Sequence, residues 1–337
     1  MQNLPTDAQF RAVTIDVTAD GGSTFSVVNR LVSELPTGDL LVRVRYSSLN
    51  YKDALSATGN RGVTRSYPHT PGIDGAGEVV RSSSDGFLPG QKVIVTGHDL
   101  GQNIPGGWGE YIRVPTGWAV PLPAGLDLKE SMTLGTAGFT AAQCVERIVE
   151  HGVAPSDGEI LVTGASGGVG SITVAILAQL GYNVVAVSGK RDRHDWLRRL
   201  GASRVAARDE ATDTSGKPLL ERKWAAAVDN VGGPILATVL RQIAHRGIVA
   251  AVGNTGGADI AVTVYPFILR GITLAGIDSS ACPPAQRLAI WNKLSDQWKP
   301  RQLDQIIREV TLEELDNEVK SILQGQVAGR VVVKHAS

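Results

Sequence analysis

Along the first third of the chain, apolar and polar positions alternate in short runs punctuated by glycine and proline: RAVTIDV (11–17), DLLVRVRYSSLN (39–50), GAGEVV (75–80), QKVIVTG (91–97) and GEYIRVP (109–115). A period of two marks strands with one buried face, and the punctuation predicts a small, irregular β-rich domain. After about residue 130 the texture changes. Apolar runs of strand length (EILVT, NVVAVSG, SRVAA, AAAVD, GIVAAVG, ITLAGID) alternate with helical patterns such as VGSITVAILAQLG, RHDWLRRLG and PILATVLRQIA. That alternation predicts βαβ units around a parallel sheet. A continuous apolar run such as NVVAV suits a strand covered on both faces. Gly181 and Gly201 predict the ends of helices over 169–180 and 196–200. The closing segment, TLEELDNEVKSILQGQVAGRVVVK (311–334), predicts a capping box from Thr311 to Glu314, a helix, and one strand that rejoins the first domain. The expected division is residues 1–130 with 280–337 in the β-rich domain and 131–279 in a doubly wound nucleotide-binding domain, without repeats or a flexible linker.

Composition narrows the classes. With 42% hydrophobic and 20% charged residues over 337 positions, the chain reads as an ordinary globular protein. Lysine and arginine number 33, as do aspartate and glutamate, so no overall field favours nucleic acid or an anionic membrane, and neither is expected as a partner. Only Cys144 and Cys282 are present, too few for a disulfide framework or a four-cysteine zinc site. The start, MQNLPTDAQF, lacks the regions of a signal peptide, and no apolar run approaches the roughly 20 residues that span a bilayer. The expected location is the cytoplasm.

The stretch ILVTGASGGVGS (160–171) carries the first chemistry. It contains both T-G-x-x-x-G-x-G, the signature of short-chain dehydrogenases, and A-x-G-x-x-G, a dinucleotide fingerprint with alanine for its first glycine. A strand runs straight into it and a helix follows, so Ser166, Gly167, Gly168 and Val169 are expected to hold a pyrophosphate against the helix N-terminus. At the end of the next strand, where an acidic residue would meet the ribose hydroxyls of NAD, the chain instead reads Ser188, Gly189, Lys190 and Arg191. A hydroxyl and two cations suit a 2′-phosphate, and Arg208 after the third strand adds a further cation, so the expected cofactor is NADPH. A merely solvated basic helix start is the competing explanation, although cations there oppose the helix dipole. The short-chain reading also needs a tyrosine four residues before a lysine, and none of the six tyrosines has one.

SSLNYKDAL (47–55), PHTPGIDGAGEV (68–79), GGWGEYIRVP (106–115), GTAGFTA (135–141) and then ASGGVG, in this order, resemble the medium-chain dehydrogenase/reductase superfamily essentially end to end. NYKD, PGID, VVAVSG, LGASRV, PFILR and GIDS more narrowly resemble its zinc-free, quinone oxidoreductase-like branch, which includes acrylyl-CoA reductases. The resemblance implies a GroES-like β-rich catalytic domain joined to a Rossmann domain in an α/β protein, and a homodimer. It also exposes a departure: where zinc-dependent members place a histidine ligand the chain reads Pro71, Gly72, Ile73, Asp74, and the usual cysteine position falls within Leu49-Asn50-Tyr51. His69 and His98 are isolated, so no metal is expected.

Without a Lewis acid to polarise an alcohol, the implied reaction is hydride transfer from NADPH to an activated C=C bond, with acrylyl-CoA or a related enoyl thioester as substrate. An NADPH:quinone oxidoreductase is the alternative, and a non-enzymatic binding protein that keeps the dinucleotide fold is a third. The resemblance puts Asn50, Tyr51, Lys52 and Asp53 beside the nicotinamide and substrate, with Tyr51 also touching the cofactor and donating a hydrogen bond or proton. Asp53 either orients Tyr51 or Lys52, relays a proton, or is simply a charge at a helix N-terminus. Thr136, Thr140, Asn230, Gly253 and Asn254 are expected around the ribose and nicotinamide. Phe267 in PFILR, and Arg330, are expected to close the cleft, although a single arginine before a strand is ordinarily a surface residue. Trp108, Trp118, Trp224 and Trp291 read as core or rim.

Overall fold

The computed structural model describes residues 7–19 and 21–336. Residues 1–6, on which the reading of the chain's start partly rests, lie outside the described residues. Two compact units emerge, one of Met1–Thr136, Ser280–Ser295 and Ile307–Ser337, the other of Ala137–Ser279 and Asp296–Ile306. Residues 131–136 therefore group with the first unit and 296–306 with the second.

The first unit opens with a hairpin, β1 (Gln9–Val17) and β2 (Ser23–Leu31). Then come β3 (Leu40–Leu49), helix α1 (Tyr51–Ala57), β4 (Asp74–Ser82), β5 (Lys92–Thr96), β6 (Tyr111–Val114), β7 (Ala119–Pro121) and α2 (Leu128–Glu150), whose residues from Ala137 on belong to the second unit. The helix α2 is interrupted at Gly135, whose backbone (φ 49°, ψ −154°) is not helical. In the second unit a strand–helix alternation follows: β8 (Glu159–Val162), α3 (Gly168–Gln179), β9 (Asn183–Val187), α4 (His194–Arg199), β10 (Arg204–Ala206), β11 (Trp224–Asp229), α5 (Gly233–Gln242), β12 (Ile243–Ala251), α6 (Tyr265–Arg270) and β13 (Thr273–Gly276). The chain closes with α7 (Pro284–Leu294), α8 (Leu303–Ile306), β14 (Ile307–Val310), α9 (Leu315–Leu323) and β15 (Arg330–Lys334).

In the first unit a mostly antiparallel sheet runs β14-β15-β3-β4-β5-β7, with β6 also paired to β3. The last strand returns as its pattern suggested: Val331 to Lys334 pair antiparallel with Leu49 to Tyr46. The Thr311–Glu314 box is formed on one side, Glu314 accepting the Thr311 N–H at 2.7 Å, and the regular helix begins only at Leu315. Trp108 is fully buried here and donates its indole N–H to the Ser48 carbonyl at 3.1 Å.

The second unit is a parallel sheet in the order β10-β9-β8-β11-β12-β13. The inner strands are buried along nearly their whole length, as the apolar runs required, and Leu161, Val185, Ala227 and Val249 pack with Trp224, Leu236 and Leu240. A Cβ on Gly170 would stand 2.4 Å from the Gly164 carbonyl oxygen, so a glycine is what lets α3 sit close against the end of β8. Gly170→Ala is therefore expected to cost about 1–3 kcal/mol, read as a lower urea midpoint with an unchanged m-value.

Candidate active site

Asn50 turns the chain from β3 into α1 with an extended backbone (φ −117°, ψ 161°), so Tyr51, Lys52 and Asp53 occupy the first helical turn. Asp53 faces inward and is completely buried. Its Oδ2 accepts the Asn50 backbone N–H at 2.8 Å and the Asn50 side-chain amide at 3.1 Å, while Oδ1 accepts the Ile73 N–H at 2.8 Å. Among the described residues no hydrogen bond joins Asp53 to Tyr51 or Lys52. Tyr51 is 40% exposed and its hydroxyl has no hydrogen-bond partner among the described residues. Lys52 is half-buried and makes no ion pair among them.

Beneath this helix end lies a second buried carboxylate, Asp74, which the sequence shows only as the last residue of PGID. It accepts hydrogen bonds from Ser48 Oγ at 2.5 Å, Asn50 Nδ2 at 2.9 Å and Thr136 Oγ1 at 2.6 Å. Arg330, 3% exposed, lies inside this cluster: its Nη2 donates to Ser48 Oγ at 2.8 Å, its Nη1 to Asn50 Oδ1 at 3.1 Å, and its Nε to the Thr133 carbonyl at 3.0 Å. Asp74 pairs with this guanidinium at 3.7 Å, and Asp53 is tied to it through Asn50. Burial, and then the charge of Asp74, push the Asp53 carboxyl up to about 7 against the opposing effect of its three N–H donors.

In the second unit, the residues expected around a dinucleotide converge at the ends of β8, β9 and β11. Gly167 caps α3 with no side-chain hydrogen bond, and the first turn of α3, beginning Gly168-Val169, has no acidic residue. Ser188 donates its hydroxyl proton to Ser166 Oγ at 3.0 Å and accepts the Lys190 N–H at 3.2 Å. Arg208 crosses Gly189: its Nε lies 2.8 Å from where a Cβ on that glycine would stand. Arg208 makes no ion pair among the described residues, and Lys190 feels its charge. Arg191 is exposed on the turn that follows. Asn230 donates Nδ2–H to the Thr163 carbonyl at 2.8 Å, while its Oδ1 is buried without a partner. Such an orphaned acceptor suits a ribose hydroxyl or amide donor, so these residues fit a dinucleotide.

Sequence reasoning missed what holds Asn230: Thr163 donates to Asp229 Oδ1 at 2.7 Å, and Asp229 Oδ2 accepts the Gly232 N–H at 2.6 Å. The T of VTG and the D of VDNVG, 66 positions apart, were the available signal. Gly253 and Asn254 follow β12, next to Gly232. Thr140 is buried in α2, and Phe267 in α6 packs partly buried against the core.

A catalytic zinc does not fit the first unit. Ile73 is a buried aliphatic residue, and Asn50 spends its amide on Asp53 and Asp74. No group of three or more His, Cys, Asp or Glu side chains among the described residues is arranged to hold a metal. His98 stacks on Trp118, ring centroids 5.0 Å apart, and His69 is buried in the same unit.

Residues 36–124 match the alcohol dehydrogenase GroES-like domain, and residues 168–291 match the zinc-binding dehydrogenase family. The chain is 46% identical to the acrylyl-CoA reductase AcuI of Ruegeria pomeroyi over 96% of its own length and 98% of the relative's. A Bacillus subtilis relative, YhfP, provisionally named a quinone oxidoreductase, is 47% identical over 96% of this chain and 98% of its own. The crystal structure of the yhdH oxidoreductase from Salmonella enterica in complex with NADP superposes with a TM-score of 0.94 at 45% identity, covering 97% of this chain and all of that one (100%). A structure of YhfP with NAD bound also has a TM-score of 0.94, at 46% identity, over 97% of this chain and 100% of its own. The fold and these matches define an oxidoreductase built from a GroES-like and a Rossmann domain. The chain belongs to the medium-chain dehydrogenase/reductase superfamily, among relatives of the acrylyl-CoA reductase and quinone oxidoreductase type.

The raised carboxyl of Asp53 has a signed effect on stability. An acid whose folded-state pKa, about 7, lies above its ordinary value of 3.8 binds its proton more tightly when folded. Its contribution is full below the ordinary value and is lost as pH rises through the folded one. The unfolding free energy of the wild-type protein relative to Asp53→Asn is therefore expected to fall from about pH 4 to about pH 7 and to level off above about pH 8. Urea titrations across that range check the slope, and a flat difference would show a carboxyl with its ordinary pKa.

Proposed function

We propose that the protein is an NADPH-dependent reductase of activated C=C bonds acting on acrylyl-CoA or a related enoyl thioester. The observation that carries the reading is the N-terminus of α1: a phenol without an internal partner, on a helix end whose supporting carboxylates are buried and fully hydrogen-bonded. A hydroxyl with no internal partner, carried on a helix end that is itself held, is available to donate to a developing enolate oxygen. When bound, NADPH would supply the hydride that the β-carbon takes up. The Tyr51 hydroxyl donates a hydrogen bond to the thioester oxygen of the enolate, Lys52 on the same helical turn favours the negative charge that accumulates there, and a proton taken up from solvent at the α-carbon completes the reduction. Ser188, Lys190, Arg191 and Arg208 hold the 2′-phosphate, Ser166 to Val169 the pyrophosphate, and Asn230 Oδ1 a donor of the ribose or nicotinamide.

Reduction of a quinone is the second reading, supported by the name of the Bacillus subtilis relative and served by the same Tyr51 hydroxyl. The turn after α1 favours the thioester. Arg61 and Arg65 are exposed there and form no ion pair among the described residues, Arg61 lying 5.2 Å above the Tyr67 ring and donating to the Arg65 carbonyl at 2.6 Å. Two uncompensated cations suit the phosphates of a CoA ester and offer nothing to a quinone.

A cytoplasmic location fits two cysteines that form no disulfide and the lack of any described helix long and apolar enough to cross a membrane. A homodimer is supported by β13, an edge strand, and by the helix leading into it, which exposes Val264, Tyr265, Ile268 and Leu269.

NADPH oxidation measured in parallel with acrylyl-CoA, crotonyl-CoA and a quinone tests the assignment. Turnover of the quinone alone favours the second reading, and turnover of none removes the enzymatic one. Tyr51→Phe is expected to lower kcat on the thioesters about 100-fold with NADPH affinity near normal, and unchanged turnover rejects Tyr51 as donor. Lys190→Ala combined with Arg208→Ala should weaken NADPH at least about tenfold more than NADH, measured by fluorescence titration. Equal losses for both cofactors would count against the 2′-phosphate site.

A further inference from the structure

Asp74 binds two segments, the helix end that the reading above assigns to the reaction and the segment of Thr136, which the sequence puts near the ribose and nicotinamide. One is the helix end: Asn50 Nδ2 donates to Asp74 at 2.9 Å and Ser48 Oγ at 2.5 Å. The other is the interruption in α2, where Thr136 gives the same carboxylate both its hydroxyl proton, at 2.6 Å, and its backbone N–H, at 3.0 Å. The space for this contact is made by Gly135, with its left-handed φ of 49°: a Cβ there would stand 2.5 Å from Asp74 Oδ2 and 2.9 Å from Arg330 Nη2. Arg330 Nη2 lies 3.7 Å from Asp74 Oδ2 and reaches it more directly through Ser48, which accepts from Arg330 and donates to Asp74.

Packing alone does not account for such a cluster. Removing carboxylates from water is costly, and well-packed apolar residues of similar volume often serve stability equally well. What the charges add is geometry. The amide of Asn50 is fixed at both ends, its oxygen by Arg330 and its nitrogen by Asp53 and Asp74, and Asn50 begins the helix that carries Tyr51.

We propose that Asp74, with Arg330 as its counter-ion, is the positioning residue of the reductase site: one buried carboxylate that fixes the Asn50–Asp53 helix end and the Thr136 segment relative to each other. The inference rests on the reading of that helix end as the edge that meets the substrate. Asp74 touches no reacting atom and acts through Asn50 and Thr136.

Asp74→Asn keeps the shape but puts an amide N–H among groups that already donate. It is expected to lower kcat about 100-fold, since misplacement by about 1 Å costs that much. The primary isotope effect with C4-deuterated NADPH should rise as hydride transfer becomes rate-limiting, and NADPH affinity by fluorescence titration should change much less than kcat. Amide exchange should accelerate about tenfold or more in peptides covering Asn50 to Asp53 and Thr136, with the second unit unchanged. Ser48→Ala, which leaves every charge in place, should show the same pattern more weakly and provides the test where Asp74→Asn does not fold. Wild-type kcat and isotope effect in a folded variant, or exchange that rises uniformly over the chain, overturns the proposal. A wild-type protein that reduces none of the substrates refutes the functional reading instead, and the local exchange result still decides whether Asp74 positions the two segments.

Discussion

The first unit depends on burying two carboxylates, Asp53 and Asp74, with one guanidinium, Arg330. An isolated buried charge is too costly to persist, so every neighbour is constrained to supply a proton or a charge. Asn50 has to cap α1, Ser48 has to point its hydroxyl inward, and α2 has to break at Gly135 to bring Thr136 within reach. Trp108 closes the cluster from another side by donating to the Ser48 carbonyl. The arrangement leaves a single exposed phenol on a helix end that has little freedom to move.

The second unit gathers small and cationic residues at one end of its parallel sheet. Gly167 and Gly170 bring backbone near the strand end, while Ser166, Ser188, Lys190 and Arg208 gather beyond it. The order of these parts follows from the parallel sheet, because successive strands deliver their C-terminal ends to the same edge. A second tie, Thr163 to Asp229, holds the loop that orients Asn230.

Much of this was legible in the sequence, and the division has a physical basis. The change from period-two runs to alternating strands and helices announced both architectures, because each imposes its own local pattern on the chain. The glycine loop and SGKR were equally plain as patterns, since each is a short contiguous stretch. Asp74 was not, and Arg330 was expected only as a residue closing the cleft, not as the buried partner of Asp74. A lone arginine before a strand reads as a surface residue, yet Arg330 is 3% exposed, and the partners that make its burial tolerable lie at residues 48 to 50 and 133, far away along the chain. Nothing local distinguishes such a residue. The loss of a histidine ligand at Ile73 was visible, but the use the neighbouring aspartate makes of the vacated chemistry was not.

The position of Arg330 on β15 also sets an order of events. A ribosome makes Ser48, Asn50, Asp53 and Asp74 long before the guanidinium, and β15 must then find β3, its partner some 280 residues back. Until that pairing forms, Asp74 has no cation beside it and water remains its natural surrounding. Pairing of β15 with β3 and completion of the buried Asp74–Arg330 cluster are therefore one event, and a nascent chain that already carries Asp53 and Asp74 still has an open, hydrated interior where that cluster will be.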